Sequence, residues 1–360
     1  MHGVAERASA YAATAYHVIE EFRYVNPFDM MKKSPAIICP KPNEIDLVEV
    51  TIPEPKPNEV AVRTLFSGIS AGTERWTITA RYNHWDRAVA DHFPFVPGYQ
   101  RSGVVEAVGS EVQGFAVGDH VFSRGARVED PVLLAHGYLG HIGYAIVEPD
   151  SLWKLSPTAD MEEASHWQMP AVGAHGVRLI DVRPGDLVVV IGQGLIGQLS
   201  AQIARLRGAT VVSADVVQKR VDLSALHSAD VAVNSRQEDL AQVVRQYQAE
   251  GADVVIDTTG ISSMFDYWVS LIRREGRICL QGYYPEPFHI EFHPTHEKRA
   301  TVAFPCSRED PATIVPLFER HKIRIKPLIT HRFPYHKAKE AYDLVLNRPE
   351  EALGIVFDWS

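Results

Sequence analysis

Short apolar runs separated by glycine and proline turns characterise the chain between residues 36 and 172. Strand-like runs occur at 45–50, 60–66, 103–108, 120–123 and 144–147. The proline-rich segment 52–57, with the letters IPEPKP, separates two of these runs. Short strands with this punctuation predict a small β-barrel or β-sandwich.

A different pattern begins after about residue 173. The five apolar residues 187–191 lead into a glycine turn, a helical stretch at 195–207 and a second apolar run at 210–214. Further apolar runs lie at 231–233, 254–256 and 276–280, and helical segments lie between them at 237–248 and 262–272. Apolar runs without period-two alternation are typical of parallel strands buried on both faces. The pattern therefore predicts a parallel sheet built from βαβ units.

The composition and charge of the 360-residue chain exclude several classes of protein. Hydrophobic residues make up 46% and charged residues 22%, which is typical of a globular chain and excludes extensive disorder. The formal net charge of -9 argues against a nucleic-acid partner. No apolar run reaches the ~20 residues that a membrane-spanning helix needs, and the N-terminus lacks the compact apolar core of a secretion signal. We expect a cytoplasmic protein with no membrane partner.

The clearest chemical signal is the glycine-rich turn in residues 188–197, with the letters VVVIGQGLIG. Its G-x-G-x-x-G pattern consists of Gly192, Gln193, Gly194, Leu195, Ile196 and Gly197. The turn follows an apolar strand and opens a helix, and Asp215 ends the next strand eighteen residues after Gly197. Glycines there permit a tight turn and close approach to a pyrophosphate, whose charge the helix N-terminus stabilises. The pattern predicts a dinucleotide site; the alternative is a turn that only closes the strand onto the helix.

Asp215 determines which cofactor we expect. Its carboxylate would accept hydrogen bonds from the adenosine ribose hydroxyls and would repel a 2′-phosphate, which predicts NAD rather than NADP. Lys219 and Arg220 lie near enough in sequence to soften this preference, and we include Arg220 in the site. Two further strands run into polar glycine turns, at Thr258, Thr259 and Gly260 and at Gln281 and Gly282. Because such sheets bind ligands at the carboxyl ends of their strands, we assign these turns to the cofactor site; the alternative is that they are loops without a special role.

Three segments resemble motifs of the medium-chain dehydrogenase/reductase family. They are 57–63 (PNEVAVR), 96–105 (VPGYQRSGVV) and 115–121 (FAVGDHV). With the cofactor motifs, the resemblance covers about residues 36–360. It implies an α/β fold with a GroES-like β-rich catalytic domain, residues 34–172 and 311–360, and a Rossmann NAD-binding domain with a doubly wound parallel sheet, residues 173–310. Residues 1–33 are then an N-terminal extension that we expect to pack on the domain or on a partner subunit.

The resemblance has further implications for ligands and assembly. Gln281, Gly282 and Tyr283 should pass the nicotinamide ribose, and Phe304 should lie near the carboxamide. Members of the family are commonly homodimers or homotetramers that act on small molecules. Residues 67–75 (SGISAGTER) are most similar to the branch that contains bacteriochlorophyllide hydroxyethyl dehydrogenases, which oxidise a secondary alcohol beside a macrocycle.

The positions at which zinc enzymes of this family hold their catalytic metal differ in this chain. Ser70 stands in place of the ligand cysteine and Tyr99 in place of the ligand histidine, and Met169 lies near the third ligand position. The four-cysteine structural lobe is also missing, because the three cysteines are widely spaced, at Cys39, Cys279 and Cys306. A zinc site needs several Cys, His or carboxylate ligands at fixed geometry. We therefore predict a zinc-independent member with no metal site.

Without a metal, protein groups must stabilise the charge that develops on the alcohol oxygen during hydride transfer. Tyr99 is the first candidate, since it would occupy the lost metal position and its hydroxyl can donate a hydrogen bond and pass a proton. Alternatively, Tyr99 only fills the vacated space. Ser70, Thr73 and Glu74 lie on the loop that faces the same cleft in the family. Glu74 can be a base, a ligand for a polar substrate, or an ion-pair partner of a nearby arginine, Arg75 or Arg101.

Other side chains near the cleft have two interpretations each. His141 and His166 are either proton relays or buried structural histidines, and we include His166 among the catalytic candidates. Gln100 is expected to form part of the wall of the cleft through hydrogen bonds of its side chain. The aromatic residues that follow the cleft loop either line a pocket for a ring or sugar face or are ordinary buried side chains: Trp76, Tyr82 and Trp85.

Taken together, these features predict a zinc-independent NAD-dependent alcohol dehydrogenase or carbonyl reductase. It would interconvert a secondary alcohol and a ketone on a sugar-like, polyol or ring-bearing substrate. One alternative is reduction of an activated C=C bond, as in zinc-free quinone and enoyl reductases, which generally prefer NADP. Another is a non-catalytic NAD-binding sensor or structural subunit.

Overall fold

The computed structural model describes residues 32–81, 93–129, 139–305 and 308–360. Residues 1–31 of the predicted extension, together with Tyr82, Trp85 and Cys306, lie outside the described residues. None of the described helices is long and apolar enough to cross a bilayer.

Strands that are antiparallel except for the parallel pair of β14 and β15 build the β-rich domain. β1 (Lys32–Ile38) and β2 (Asp46–Ile52) form one pair. A larger sheet contains β3 (Val60–Gly68), β4 (Arg101–Val108), β5 (His120–Ser123), β6 (Tyr144–Val147), β7 (Leu152–Lys154), β14 (Ile329–Pro334) and β15 (Gly354–Asp358). Its strand order is β14-β15-β3-β4-β5-β7, and β6 also pairs with β3. Its helices are α1 (Ala71–Ile78), α2 (Met161–Ala164) and α10 (Ala338–Asn347).

Valine and isoleucine side chains from these strands form a continuous core. Val60 and Val62 on β3 pack with Val105 on β4, Val121 on β5 and Ile146 on β6, and all five are buried. β-Branched side chains suit this pleated, buried surface, so the apolar strand runs produce the predicted β-rich domain.

A six-stranded parallel sheet forms the second domain. Its strands are β8 (Leu187–Ile191), β9 (Thr210–Asp215), β10 (Val231–Asn234), β11 (Ala252–Asp257), β12 (Ile272–Leu280) and β13 (Thr301–Ala303), in the order β10-β9-β8-β11-β12-β13. The accompanying helices are α4 (Leu195–Leu206), α5 (Gln218–His227), α6 (Leu240–Tyr247), α7 (Phe265–Leu271) and α8 (Phe292–Lys298), and α9 (Pro311–Glu319) follows the sheet along the chain. Every residue of the central strand β8 is buried, which explains its continuous apolar run. The predicted α/β fold class, a doubly wound parallel sheet with a β-rich domain, is confirmed.

A linking helix and the returning C-terminus connect the two domains. Helix α3 (Gln168–Leu179) leaves the β-rich domain and packs against α4. After the parallel sheet, the chain returns and β15 pairs with β3, with Val356 opposite Gly68. Across the cleft, the rings of Trp76 and Tyr283 lie 6.1 Å apart, and Arg81 forms an ion pair with Glu286 at 3.7 Å. The loop after β12 therefore faces helix α1 of the β-rich domain.

Candidate active site

The glycine turn after β8 has the backbone geometry that a dinucleotide cradle requires. Gly192 has a φ of +86°, in the left-handed region that favours glycine, and Gly194 is the N-cap of α4. A Cβ atom on Gly197 would lie 1.8 Å from the carbonyl oxygen of Gly192, so any side chain there would separate the helix from the turn. The intervening Leu195 and Ile196 form the first turn of α4. The free N–H groups of this turn can therefore face a pyrophosphate.

The acidic residue at the end of β9 lies directly against this turn. Asp215 is buried, and its carboxylate accepts hydrogen bonds from the backbone N–H groups of Gln193 at 2.6 Å and Val217 at 2.8 Å. These two bonds fix the carboxylate beside the glycine turn. The side chain of Gln193 points away from this carboxylate, where its amide donates to the carbonyl of Val190 and its oxygen accepts from Ser224.

The two basic residues after Asp215 are bound to the C-terminal part of the chain. Arg220 lies 3.8 Å from the Asp215 carboxylate, but its Nη2 donates to the carbonyl of Pro349. The Lys219 ammonium donates to the carbonyl of Glu351 at 3.0 Å. Both cations are therefore engaged in contacts with segment 349–351.

The turn after β11 joins the glycine turn through its threonines. The Thr258 hydroxyl donates to the carbonyl of Gly192 at 2.8 Å. Asp257 accepts hydrogen bonds from the backbone N–H and hydroxyl of Thr259 and from the backbone N–H of Gly260. It also accepts the Tyr284 hydroxyl, and burial raises the pKa of Asp257 to about 6. Asp257 thus organises this edge of the cleft, although we did not select it from the sequence.

The turn after β12 lies next to the same site. Gln281 is held by two bonds to helices, since its amide donates to the carbonyl of Val172 at 2.7 Å and its oxygen accepts the hydroxyl of Ser200 at 3.0 Å. A Cβ atom on Gly282 would lie 2.6 Å from the backbone nitrogen of Gly260, so the two turns touch. Farther along the chain, the Phe304 side chain is 63% exposed. The residue after Gly282, Tyr283, reaches the β-rich domain through its ring contact with Trp76.

Three residues of the β-rich domain lie close together at the positions where zinc enzymes of the medium-chain family hold their metal. The Tyr99 hydroxyl donates to the Ser70 hydroxyl oxygen at 2.7 Å and lies 3.9 Å from the sulfur of Met169. Zinc prefers thiolate, imidazole and carboxylate ligands, whereas this cluster offers two hydroxyls and a thioether. Within the described ranges, no group of three or more His, Cys, Asp or Glu side chains is placed to hold a metal ion. The donor set therefore does not fit a catalytic zinc ion.

The buried carboxylate of Glu74 is hydrogen-bonded to the loop that carries Ser70. Glu74 is 2% exposed, and one of its oxygens accepts the backbone N–H of Ser70 at 2.7 Å. Its other oxygen accepts the Tyr342 hydroxyl and lies 3.1 Å from Nε2 of His141. His141 continues the network, with its Nδ1 2.8 Å from the Ser67 hydroxyl oxygen.

This burial changes the expectation for Glu74. Both carboxylate oxygens already have partners within the domain, which favours a supporting role over that of a direct base or a substrate ligand. Ion pairing with Arg101 is also not formed, because that guanidinium bonds Ser123 and the carbonyls of Leu139 and Gly140. Thr73 lies beside Glu74 in the first turn of α1 and is half-buried.

The surroundings of His166 favour the interpretation as a buried structural histidine over that as a proton relay. It is fully buried, with Nε2 3.1 Å from the carbonyl oxygen of Ile355 and Nδ1 3.1 Å from the Ser165 hydroxyl oxygen. Burial lowers its pKa to about 4, so the ring is neutral at physiological pH. Gln100 is likewise a wall residue, because its side chain bonds the carbonyl of Gly68 and the backbone nitrogen of Gln168.

Comparison with known proteins identifies two domain families. Residues 56–156 match the alcohol dehydrogenase GroES-like domain, and residues 196–320 match the zinc-binding dehydrogenase domain. The expectation of a GroES-like domain is therefore confirmed.

Individual relatives match over almost the whole chain. The 2-desacetyl-2-hydroxyethyl bacteriochlorophyllide A dehydrogenase of Cereibacter sphaeroides is 28% identical, over 91% of this chain and 98% of its own. Human sorbitol dehydrogenase is 27% identical, over 86% of this chain and 91% of its own. The crystal structure of an Escherichia coli oxidoreductase/dehydrogenase of unknown specificity superposes with a TM-score of 0.81, at 23% identity, over 91% of this chain and 99% of the other.

Proposed function

We propose, from the premise that this chain belongs to the medium-chain family of zinc-type alcohol dehydrogenases, that it interconverts a secondary alcohol and a ketone with NAD and without catalytic zinc. Its relatives include dehydrogenases of alcohols and polyols, so oxidation or reduction at an alcohol carbon is the chemistry that these relatives share. The observation that carries the finer proposal is the hydrogen-bonded cluster of Tyr99, Ser70 and Met169 at the position where a zinc site would otherwise lie.

The cofactor cradle supports NAD as the preferred cofactor. Gly192, Gly194 and Gly197 would admit the pyrophosphate, and the N-terminus of α4 would stabilise its charge. When bound, the nicotinamide supplies or accepts the hydride. Asp215 is fixed beside the turn and would bind the adenosine ribose hydroxyls while opposing a 2′-phosphate. Arg220 is drawn toward Pro349, which reduces its availability for such a phosphate.

The hydroxyls of Tyr99 and Ser70 supply the polar groups that the reacting oxygen needs. The phenol can donate to a ketone oxygen and so stabilise the charge that develops there. In the structure the Tyr99 hydroxyl donates to the Ser70 oxygen at 2.7 Å, so to donate to a ketone it would turn its proton to the substrate and accept the Ser70 hydroxyl instead. In the oxidation direction, the hydroxyl oxygens of this pair would accept a hydrogen bond from the alcohol, and the proton lost as the hydride leaves would pass to water in the cleft.

Glu74 then acts as a positioning residue. It holds the backbone N–H of Ser70 and thereby the loop on which the serine hydroxyl is presented. Its second oxygen is bound by Tyr342 on α10, which ties this loop to the C-terminal part of the chain. Because the carboxylate is buried and hydrogen-bonded on both oxygens, it preorganises the site without touching substrate.

Substitution of Tyr99 tests the proposal. A panel of secondary alcohols and ketones would be assayed with NAD(H) and NADP(H), using the unmodified protein, Tyr99→Phe and the control Tyr247→Phe. Tyr247 is a suitable control because it lies on α6 and is 53% exposed. We expect NAD-dependent turnover that falls about 100- to 1,000-fold in Tyr99→Phe, the loss expected for one donor to a developing oxyanion, with NADH affinity retained.

Three results would contradict the proposal. Unchanged turnover in Tyr99→Phe would remove this residue as the donor. Activity confined to NADPH and activated C=C bonds would favour the enoyl-reductase alternative. Tight NADH binding without turnover of any member of the panel would favour a sensor or structural subunit.

A further inference from the structure

A surface groove of about 580 Å³ lies where the β-rich domain meets the segment that leads into α9. Arg124 and Trp153 line its wall on the β-rich domain, and Arg308 and Asp310 line the opposite wall. The two walls are joined at one point, since the Trp153 indole N–H donates to the Asp310 carboxylate at 2.9 Å.

Strand register relates Arg124 to the chain segment that carries Tyr99. In the antiparallel pairing of β4 with β5, Arg101 lies opposite Ser123. Gln100 directly precedes Arg101 and Arg124 directly follows Ser123, so Gln100 and Arg124 lie at the same end of this strand pair. Arg124 is therefore at the strand end from which the chain leads back to Tyr99.

The linking helix makes a second connection between Arg124 and the Tyr99 cluster. The Arg124 Nη1 lies 3.4 Å from the side-chain oxygen of Gln168. The backbone nitrogen of Gln168 donates to the side chain of Gln100, and the following residue, Met169, contacts the Tyr99 hydroxyl.

The charge of Arg124 is opposed by Arg308 and is compensated in part by the Asp310 carboxylate. Burial and the nearby charge of Arg308 lower the pKa of Arg124 to about 10. The Nε of Arg124 is buried and has no hydrogen-bond partner in the described part of the chain. The guanidinium lies over the Trp153 ring, 4.7 Å from its centre, which holds it in place without cancelling its charge.

The neighbouring carboxylates are largely engaged elsewhere. Glu309 pairs with Arg178 at 2.6 Å and with His175 at 3.2 Å. Asp310 caps α9 by accepting the backbone N–H of Ala312, in addition to the indole of Trp153. Asp150 also lines the groove and is its remaining acidic group. Glu309 is paired outside the groove, and Arg124 and Arg308 are the two groups of this lining whose guanidinium forks can bind an oxyanion.

We propose that this groove is an oxyanion subsite that holds a phosphate or carboxylate group carried by the alcohol substrate. The inference rests on the proposed function, since it places the reacting carbon at Tyr99 and the anionic group at Arg124 and Arg308. Guanidinium forks bind both kinds of oxyanion, so the subsite selects acidic derivatives of an alcohol over neutral ones.

A binding experiment tests whether the anion site exists. Inorganic phosphate would be titrated calorimetrically into the protein saturated with NADH, which blocks the pyrophosphate cradle. The same titration would be run on Arg124→Ala and on the control Arg183→Ala, an exposed arginine that is paired with Asp181. We expect saturable binding that Arg124→Ala weakens about 10-fold or more and Arg183→Ala leaves unchanged. Absence of saturable binding, or equal binding by Arg124→Ala, would overturn the site.

A kinetic experiment tests whether the anion belongs to the substrate. Sorbitol, sorbitol 6-phosphate and gluconate would be compared by kcat/KM in the unmodified protein, Arg124→Ala and Arg124→Lys. We expect at least one acidic compound to exceed the neutral one about 10-fold, and this ratio to collapse toward one in Arg124→Ala. Arg124→Lys should give an intermediate ratio, because it keeps the charge and loses the fork.

The outcomes of the two experiments separate the possible explanations. Phosphate binding that depends on Arg124, combined with equal or better turnover of the neutral alcohol, would make the groove a site for a free anion and overturn the substrate assignment. A preference for phosphate over carboxylate, or the reverse, would identify the substrate-borne group. Absence of turnover with every compound and either cofactor would contradict the proposed function, and with it the substrate assignment. The phosphate titration would still decide whether the groove binds anions.

Discussion

Replacing His166 should remove one source of the acid sensitivity of the fold. The histidine is fully buried, and both ring nitrogens face oxygen atoms, of Ile355 and Ser165. Burial lowers its pKa from the ordinary value of 6.5 to about 4. Below pH 6.5 the unfolded chain therefore takes up a proton that the folded chain does not, so stability is lost as the pH falls from 6.5 toward 4.

The size of this loss follows from the two pKa values. One pKa unit corresponds to about 1.4 kcal/mol, so the shift of His166 predicts a loss of about 3 kcal/mol across this window. Urea unfolding of the unmodified protein and His166→Gln at pH 7, 6, 5 and 4 would measure it. The variant should be less stable at pH 7, because it loses a buried side chain with two partners, but its stability should fall less steeply with acid.

An exposed histidine provides the control for this experiment. His336→Gln should leave the slope of stability against pH unchanged, since His336 is exposed to water. Parallel curves for the unmodified protein and His166→Gln between pH 7 and pH 4 would refute the reasoning. They would show that His166 titrates in the folded protein much as it does in the unfolded chain, and its role as a proton relay would return.

Three further substitutions follow from the packing around the two sites. Gly197→Ala should abolish NADH binding, measured by fluorescence titration, because its Cβ would lie 1.8 Å from a carbonyl oxygen of the cofactor turn. Gly68→Ala should destabilise the fold by about 1–3 kcal/mol in urea unfolding, because its Cβ would lie 2.8 Å from the His166 ring; unchanged stability would show that this ring can move. Tyr342→Phe should cost about 1.5–3 kcal/mol in the same assay, since the phenol binds the buried carboxylate of Glu74; a smaller loss would indicate that another donor replaces it.

The cofactor cradle was accessible from the sequence because its parts are close together along the chain. A buried strand, three glycines and a helix start fall within ten residues, and Asp215 follows at the end of the next strand. The structure brings these parts into contact, with the Asp215 carboxylate bound to the backbone nitrogen of Gln193. Local order in such a unit leaves few alternative arrangements, which also made the α/β fold class predictable.

The support of the Tyr99 cluster could not be predicted in the same way. Tyr342 reaches Glu74 across 268 residues of chain, and His141 does so across 67. Neither position carries a local pattern that distinguishes it from an ordinary core residue. The burial of Glu74 and His166 depends on this long-range packing, so a sequence that places them near the cleft does not reveal whether they face it.

Asp257 and Arg124 illustrate a second limit. Asp257 ends an apolar strand, a position that signals a ligand site in parallel sheets, and attention to that signal would have found it. Arg124 follows a short strand of the β-rich domain, and its relation to Gln168 and Arg308 arises only when three separate segments meet. Charge clusters of this kind need the fold before they can be recognised.

Zinc content measured together with catalytic activity tests the central claim most directly. The purified protein would be analysed by inductively coupled plasma mass spectrometry and assayed for NADH-dependent ketone reduction, before and after treatment with a chelator. A hydride-transfer site built on Tyr99 and Ser70 predicts less than about 0.1 zinc per chain and activity that the chelator leaves unchanged. Stoichiometric zinc, with activity that is lost on chelation and restored by added zinc, would contradict the account.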